Sequence, residues 1–298
     1  MSGPAATLRT CMEAAALAWD AANAAARASG VALRPMTSPE DPDRVLAVIQ
    51  NLWGEEAMPR ALVVAFRHAG VIFYGAGAAG AGGGEVVGFV LGFPGWDGGL
   101  HVHSHMLGVL PDWQSRGVGY ALKLAQRAAC LDRGIVEVRW TFDPMVSKNA
   151  WFNLVKLGTA GRRFFPDFYG DMPDLINRGD STDRFEVVWA LTSERVALAL
   201  AGRSRPPSAE GPLLVGPEHT APIVTGETPA PGARVTVPRD YHGLRARNPE
   251  LGRAWREACR EGFGACFERG LVPTWITQEG QYIFERADSV FAGAQGSG

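Results

Sequence analysis

An apolar strand runs directly into glycines that open an amphipathic helix, and this junction constrains the chain more than any other stretch. It reads Leu107-Gly108-Val109-Leu-Pro-Asp-Trp-Gln114-Ser115-Arg116-Gly117-Val118-Gly119-Tyr120, followed by Ala-Leu-Lys-Leu-Ala-Gln-Arg. Backbone amides at a helix start have no intrahelical partner and carry the positive end of the helix dipole, so they attract a diphosphate. Glycine at 117 and 119 lets the backbone approach such a ligand with no side chain in the way. A Gly-x-Gly before a helix also occurs in plain strand-to-helix turns, so the surrounding sequence must decide.

The chain has 298 residues, enough for one large domain or two ordinary ones. Its formal net charge of −2, with arginines scattered rather than clustered, argues against a nucleic-acid partner. The sequence has neither a run of about 18 apolar residues nor a basic, Leu-rich leader, so we expect a cytoplasmic protein with no membrane partner. Cys11, Cys130, Cys259 and Cys266 lack the paired spacing of a zinc site and read as buried free thiols. Cys259 and Cys266 are a heptad apart on a helix, roughly 10 Å along one face, too far for a disulfide.

Hydrophobic spacing divides the chain into four parts: an N-terminal helical segment (1–30), an α/β domain (31–200), a Pro/Gly-rich linker (201–232) and a strand-helix-hairpin extension (233–298). Residues 4–30 are dominated by alanine over any other residue type, a helix on propensity with a thin core contribution. Strands are expected at Val31, Val71, Glu85, His101, Ile135 and Arg184, with helices over Asp41–Leu52, Arg60–His68, the segment after Gly119, and Asn149–Leu157. The Gly/Ala run from Gly75 to Gly84 reads as a hairpin loop. Beyond the linker, Leu251, Trp255, Cys259, Phe263 and Phe267 mark one face of a helix, which either docks internally or forms a homodimer contact. The order of elements predicts a mixed α/β sheet with the strand–cradle–helix unit at its centre.

Gln114-x-x-Gly117-x-Gly119 after Gly108-Val-Leu-Pro-Asp-Trp resembles the acyl-CoA motif of the GCN5-related N-acetyltransferases, the GNAT enzymes. Downstream, Trp140-Thr-Phe-Asp-Pro144, the helix from Asn149 to Lys156-Leu-Gly158, and Phe168-Tyr169-Gly170 follow in the family's order, across roughly residues 31 to 192. Trp-Thr-Phe-Asp-Pro, Tyr-Gly-x-Met-x-Asp-x-Ile-Asn and Ser-Thr-Asp-Arg-Phe resemble, more narrowly, a bacterial subgroup of acyltransferases with a C-terminal tail, some linked to N-succinylation of amino acids.

The resemblance implies a GNAT fold and an acyl-CoA cosubstrate, acetyl-CoA or succinyl-CoA, with no metal. It places Gln114, Ser115, Arg116, Gly117, Val118, Gly119 and Tyr120 on the pyrophosphate, and Leu107, Gly108 and Val109 along the pantetheine and thioester. Asn149 matches a family asparagine on the pantetheine arm, though an N-cap would look the same. Tyr169 is the implied acid for the departing thiolate; the alternative is a tyrosine closing a packed turn. His101, His103 and His105 alternate along one strand and face one side unless a bulge intervenes. His105 is the first candidate to take the ammonium proton and Asp143 the second, with His103 on the substrate side. For an amino-acid acceptor, Arg162, Arg163 or Arg184 could hold the carboxylate, or each could be a surface charge or pair with Asp174 or Asp183. These residues predict an N-acyltransferase acting on a small-molecule amine. The alternatives are a non-catalytic acyl-CoA sensor module and an enzyme acting on a carrier-protein thioester.

Overall fold

Alanine at i, i+3, i+7 and i+11 gives the first helix a flat, narrow face, and that face is what it buries. In the computed structural model, which describes residues 4–54, 58–80, 85–172 and 178–292 with side chains of the first helix from Glu13 onward, α1 (Pro4–Ala28) packs along α4 (Val118–Leu131). Ala15, Ala18, Ala22 and Ala26 are buried, and α4 offers Ala121, Ala125, Ala128 and Ala129. Small side chains on both helices allow close approach, so a segment expected to add little core becomes a tight helix pair. Cys11 lies among the side chains outside the described set, as does Asp174. Trp19 fixes the pair, its indole N–H donating to Asp132 at 2.6 Å.

The chain forms two compact units, one from Met1–Arg139 and the other from Trp140–Met172 with Asn177–Gly298. In the first, β1 (Val31–Pro35), β2 (Ile72–Ala78), β3 (Gly88–Gly95) and β4 (His101–Val109) form an antiparallel sheet in chain order. The opening of β5 (Glu137–Phe142) lies parallel to β4, pairing Val102 with Val138 and His103 with Arg139. Strand alternation sends Phe73, Phe89 and Leu91 to one face, where α2 (Asp41–Trp53) and α3 (Arg60–His68) cover them with Val45, Ile49 and Val63. It sends Val90 to the other face, where it packs with Val87, which precedes β3, and with Ala26, Val118 and Leu122. The Gly/Ala run is a loop only in part, because β2 continues through Gly75 to Ala78; residues 81–84 lie outside the described set.

The second unit holds the rest of β5, a short helix α5 (Ser147–Ala150) that continues as a π-helical turn over Trp151–Lys156, and the hairpin β6 (Ala160–Phe165) and β7 (Arg184–Ala190). After α6 (Glu194–Leu200) comes a five-stranded sheet ordered β11-β12-β10-β8-β9, from β8 (Leu213–Glu218), β9 (Ala221–Val224), β10 (Ala233–Thr236), β11 (Leu271–Ile276) and β12 (Gln281–Arg286). The helices α7 (Tyr241–Arg247), α8 (Pro249–Glu268) and α9 (Ala287–Phe291) complete it.

The structure differs from the sequence reading at three points. Residues 201–232 contain the β8–β9 hairpin, whose Leu214 and Val215 are buried, and are therefore not a linker throughout. Strand β6, which the sequence spacing did not signal, pairs with β7. The unit boundary also falls within β5 instead of near residue 200. A shared aromatic core explains the grouping: Phe164 and Phe185 from the hairpin pack with Phe263 of α8 and Tyr282 of β12, ring centroids 4.7 to 5.8 Å apart. The predicted face of α8 is the one that docks, with Trp255, Cys259 and Phe263 buried. The thiols of Cys130, Cys259 and Cys266 are free and buried. Among the described residues no helix is long and apolar enough to cross a membrane.

Candidate active site

The cradle is built by a change of backbone conformation between β4 and α4. A single 3-10 turn over Pro111–Trp113 is followed by extended Gln114, then Ser115 with φ of 62° and Gly117 with φ of 93°. The Gln114 side chain ties the turn back to the strand, donating to the Val109 carbonyl at 3.0 Å. Ala121 donates the first intrahelical bond, to the Gly117 carbonyl at 3.0 Å, so the amides of Val118, Gly119 and Tyr120 lie ahead of the ladder at the positive end of the helix dipole. Arg116 is exposed, its guanidinium 5.2 Å from the centre of the Trp113 ring.

The two glycines differ in what demands them. At Gly117 the left-handed backbone excludes other residues, and a Cβ would meet the Ser29 hydroxyl at 2.7 Å. Gly119 has helical backbone, and a Cβ there would make only ordinary contacts of 3.8 Å with Leu107 and Val109. Among the described residues, no packing contact requires glycine at 119.

On β4, the register slips between Leu91 and Gly92 of β3, so that Ser104 faces Gly92, Met106 faces Leu91, and His105 is the extra residue of a β-bulge. The histidines consequently separate. His101 is buried, its Nδ1 2.9 Å from the Gly99 carbonyl. His103 and His105 stay together, ring centroids 6.0 Å apart, both against Phe93. Desolvation holds the His105 imidazole below its usual pKa, which favours the neutral form a base requires. Within this unit the parallel pairing to β5 ends at His103, so Leu107, Gly108 and Val109 run along an edge that β5's opening residues do not cover.

Behind the bulge sits a group that sequence reading missed. Lys123 of α4 is 2% exposed, with Nζ 2.8 Å from Ser104 Oγ and 3.0 Å from Gln126 Oε1. Burial lowers its pKa to about 7, the Cys130 thiol on the same helix opposing the shift slightly. At its position in the helix it looked like any surface lysine.

In the second unit, Asp143, Arg184 and Tyr169 come together and Arg162 does not. Tyr169 is exposed in the β6–β7 connection, with the Arg184 guanidinium 5.4 Å from its ring centre. Arg184 Nη1 lies 3.9 Å from Asp143. Both Asp143 oxygens accept from Arg256 at 2.9 Å, a bidentate contact that occupies the carboxylate. Arg162 pairs with Glu186 at 2.7 Å, and Arg163 is exposed on the same strand. Asn149 is exposed in α5, its amide donating to the Val146 carbonyl. Arg256, Arg260, Asp180 and Asp183 were not singled out as site residues from sequence, although Asp183 lies in the Ser-Thr-Asp-Arg-Phe stretch and Arg256 and Arg260 lie beside the apolar face of α8 at i,i+4 spacing. Among the described residues, no group of three or more potential ligands could hold a metal ion.

Residues 37–151 match the model of the acetyltransferase (GNAT) family. A search of curated proteins returned no significant match. Solved structures similar to this chain include the ribosomal-protein-S18-alanine N-acetyltransferase from Escherichia coli, 12% identical with a TM-score of 0.44, over 55% of this chain and 95% of that one. Another is the NatC complex bound to Gag peptide and CoA, at 16% identity and a TM-score of 0.44, over 54% and 99% of the respective chains. A GNAT-family protein from Desulfovibrio desulfuricans has 14% identity and a TM-score of 0.42, over 54% and 99%.

Proposed function

Starting from the GNAT acetyltransferase domain at residues 37–151, we propose that the chain transfers an acetyl or succinyl group from CoA to the amine of a small molecule, an amino acid being the first class to test. The observation that carries this reading is Gly119, a helical glycine at the mouth of the cradle whose missing side chain serves no packing need. A diphosphate on the amides of Gly117 to Tyr120 would sit at the positive end of α4, with Arg116 adding a salt-sensitive contact. The backbone of Leu107 to Val109 would run beside the pantetheine and the thioester oxygen.

The reaction then needs three proton movements. His105 takes a proton from the ammonium and the free amine attacks the thioester carbon. The C–S bond breaks, the sulfur leaves as a thiolate that Tyr169 protonates, and the nitrogen gives up its second proton to solvent, from which the Tyr169 phenolate is reprotonated. Backbone donors at the carbonyl oxygen stabilise the intermediate, each typically contributing ~3 kcal/mol. Arg184, beside Tyr169, is the candidate for an acceptor carboxylate, which would have to compete with Asp143 for it; Arg162 pairs with Glu186.

The test is release of CoA thiol from acetyl-CoA and succinyl-CoA across a panel of amino acids and simple amines, with Tyr169→Phe and His105→Gln in parallel. Amine-dependent release that falls by about 10² or more in both variants is expected. CoA binding with no release for any amine would contradict the transferase reading.

A further inference from the structure

The Tyr169 turn closes on itself with one hydrogen bond, Gly170 N donating to the Asp167 carbonyl at 3.2 Å. Asp167, with φ of 47°, and Gly170, with φ of 62°, bracket it in left-handed conformations. Residues 182 and 183 add three more: Tyr169 N donates to Thr182 Oγ1 at 2.8 Å, Phe168 N to the Thr182 carbonyl at 2.9 Å, and Asp167 N to Asp183 Oδ1 at 2.9 Å. Asp167 Oδ1 in return accepts from Thr182 N at 3.0 Å and from Ser181 Oγ at 3.1 Å.

That segment is gripped in turn by the C-terminal extension. Arg256 of α8 donates to Asp180 Oδ2 at 2.5 Å, and Arg245 of α7 reaches the same oxygen at 2.7 Å. Tyr241 donates to Asp180 at 3.0 Å. One turn along α8, Arg260 donates to Asp183 Oδ1 at 2.8 Å and to Ser181 Oγ at 2.5 Å. Asp183 therefore binds Arg260 and the Asp167 amide with the same oxygen. The path from helix to tyrosine is two hydrogen-bonded steps long.

We propose that the C-terminal extension is a clamp that positions Tyr169, with Arg260 and Arg256 as positioning residues acting through Asp183, Thr182 and Asp180. The proposal rests on the reading that Tyr169 serves the transfer step. It gives the extension a function inside the enzyme: α7 and α8 together hold the segment that bonds the turn. Buried Arg256 holds two carboxylates at once, so its loss would unfold the region; Arg260, whose side chain is 35% exposed, is the site to probe.

The experiment is a double-mutant cycle on full-length protein with Arg260→Gln and Tyr169→Phe, joined to fluorine NMR of protein carrying 3-fluorotyrosine, the Tyr169 signal being identified by its loss in Tyr169→Phe. Arg260→Gln is expected to lower kcat at least ~10-fold in the native background through misplacement of the acid, to leave the Kd for acyl-CoA within about twofold, and to shift or broaden the Tyr169 resonance. In the Tyr169→Phe background it should change kcat little, because the group it positions is gone. Arg260→Lys, keeping one donor and the charge, should recover part of the loss. Equal kcat losses in both backgrounds, or an unmoved Tyr169 resonance, would overturn the clamp. Wild-type kcat in Tyr169→Phe would instead overturn the catalytic role of Tyr169, and the resonance would still decide whether the clamp exists.

Discussion

At the scale of single residues, the candidate site combines an exposed imidazole packed on aromatic neighbours with an amine buried behind it. His105 sits against Phe93 and His103, and its lowered pKa predicts that the acidic limb of the kcat/KM profile lies below pH 6.5 and disappears in His105→Gln. An unchanged limb in that variant would assign the base elsewhere. Lys123 carries a stability consequence. Its folded pKa of about 7 lies under the unfolded value of 10.5, so across that window the unfolded chain binds more protons. Stability is then highest above the window and falls as pH drops through it, by a few kcal/mol at most. Urea unfolding at pH 10 and pH 7 should show Lys123→Met gaining on the native protein by roughly 3 kcal/mol as pH falls; an equal difference at both pH values would place the amine in a charged, solvated state. His105 was legible as a candidate because histidine titrates near neutrality. Lys123 was not, since a lone lysine in a helix reads as a solvated side chain until the strand beneath it is known.

Elements show where local rules suffice and where they stop. The β4–α4 junction was readable because every part of it is local: an apolar run, a Pro turn, a left-handed glycine at 117 and a helix behind it. The bulge at His105 was not, because a register slip depends on how β3 pairs with β4, and period-two spacing places three histidines on one face. The end of α1 is part of the junction too, since Ser29 fills the space behind Gly117. Gly117→Ala should therefore destabilise the protein by about 2 kcal/mol from backbone strain and crowding. Gly119→Ala in the same helix should stabilise it by up to ~1 kcal/mol. Thermal unfolding of the two variants measures the contrast, and similar losses in both would mean that 119 is a packing glycine.

For the whole molecule, the sequence indicates an α/β acyltransferase domain and an extra C-terminal part, but it does not show how that part is used. Composition separates residues 201–232 as a linker because Pro, Gly, Ser and Glu dominate, yet Leu214 and Val215 are enough to seat the β8–β9 hairpin. The grip of α8 on Asp143, Asp180 and Asp183 joins residues 76 to 113 positions apart, a pairing that no local spacing encodes.

The most direct test of the central claim is calorimetric titration of CoA and acetyl-CoA into native protein and Gly119→Ala. The account predicts saturable binding to the native protein and at least tenfold weaker binding to the variant, about 1.4 kcal/mol, alongside unchanged or higher thermal stability. Equal affinity in the two proteins would remove the cradle from the binding site, and no binding to either would remove acyl-CoA from the account altogether.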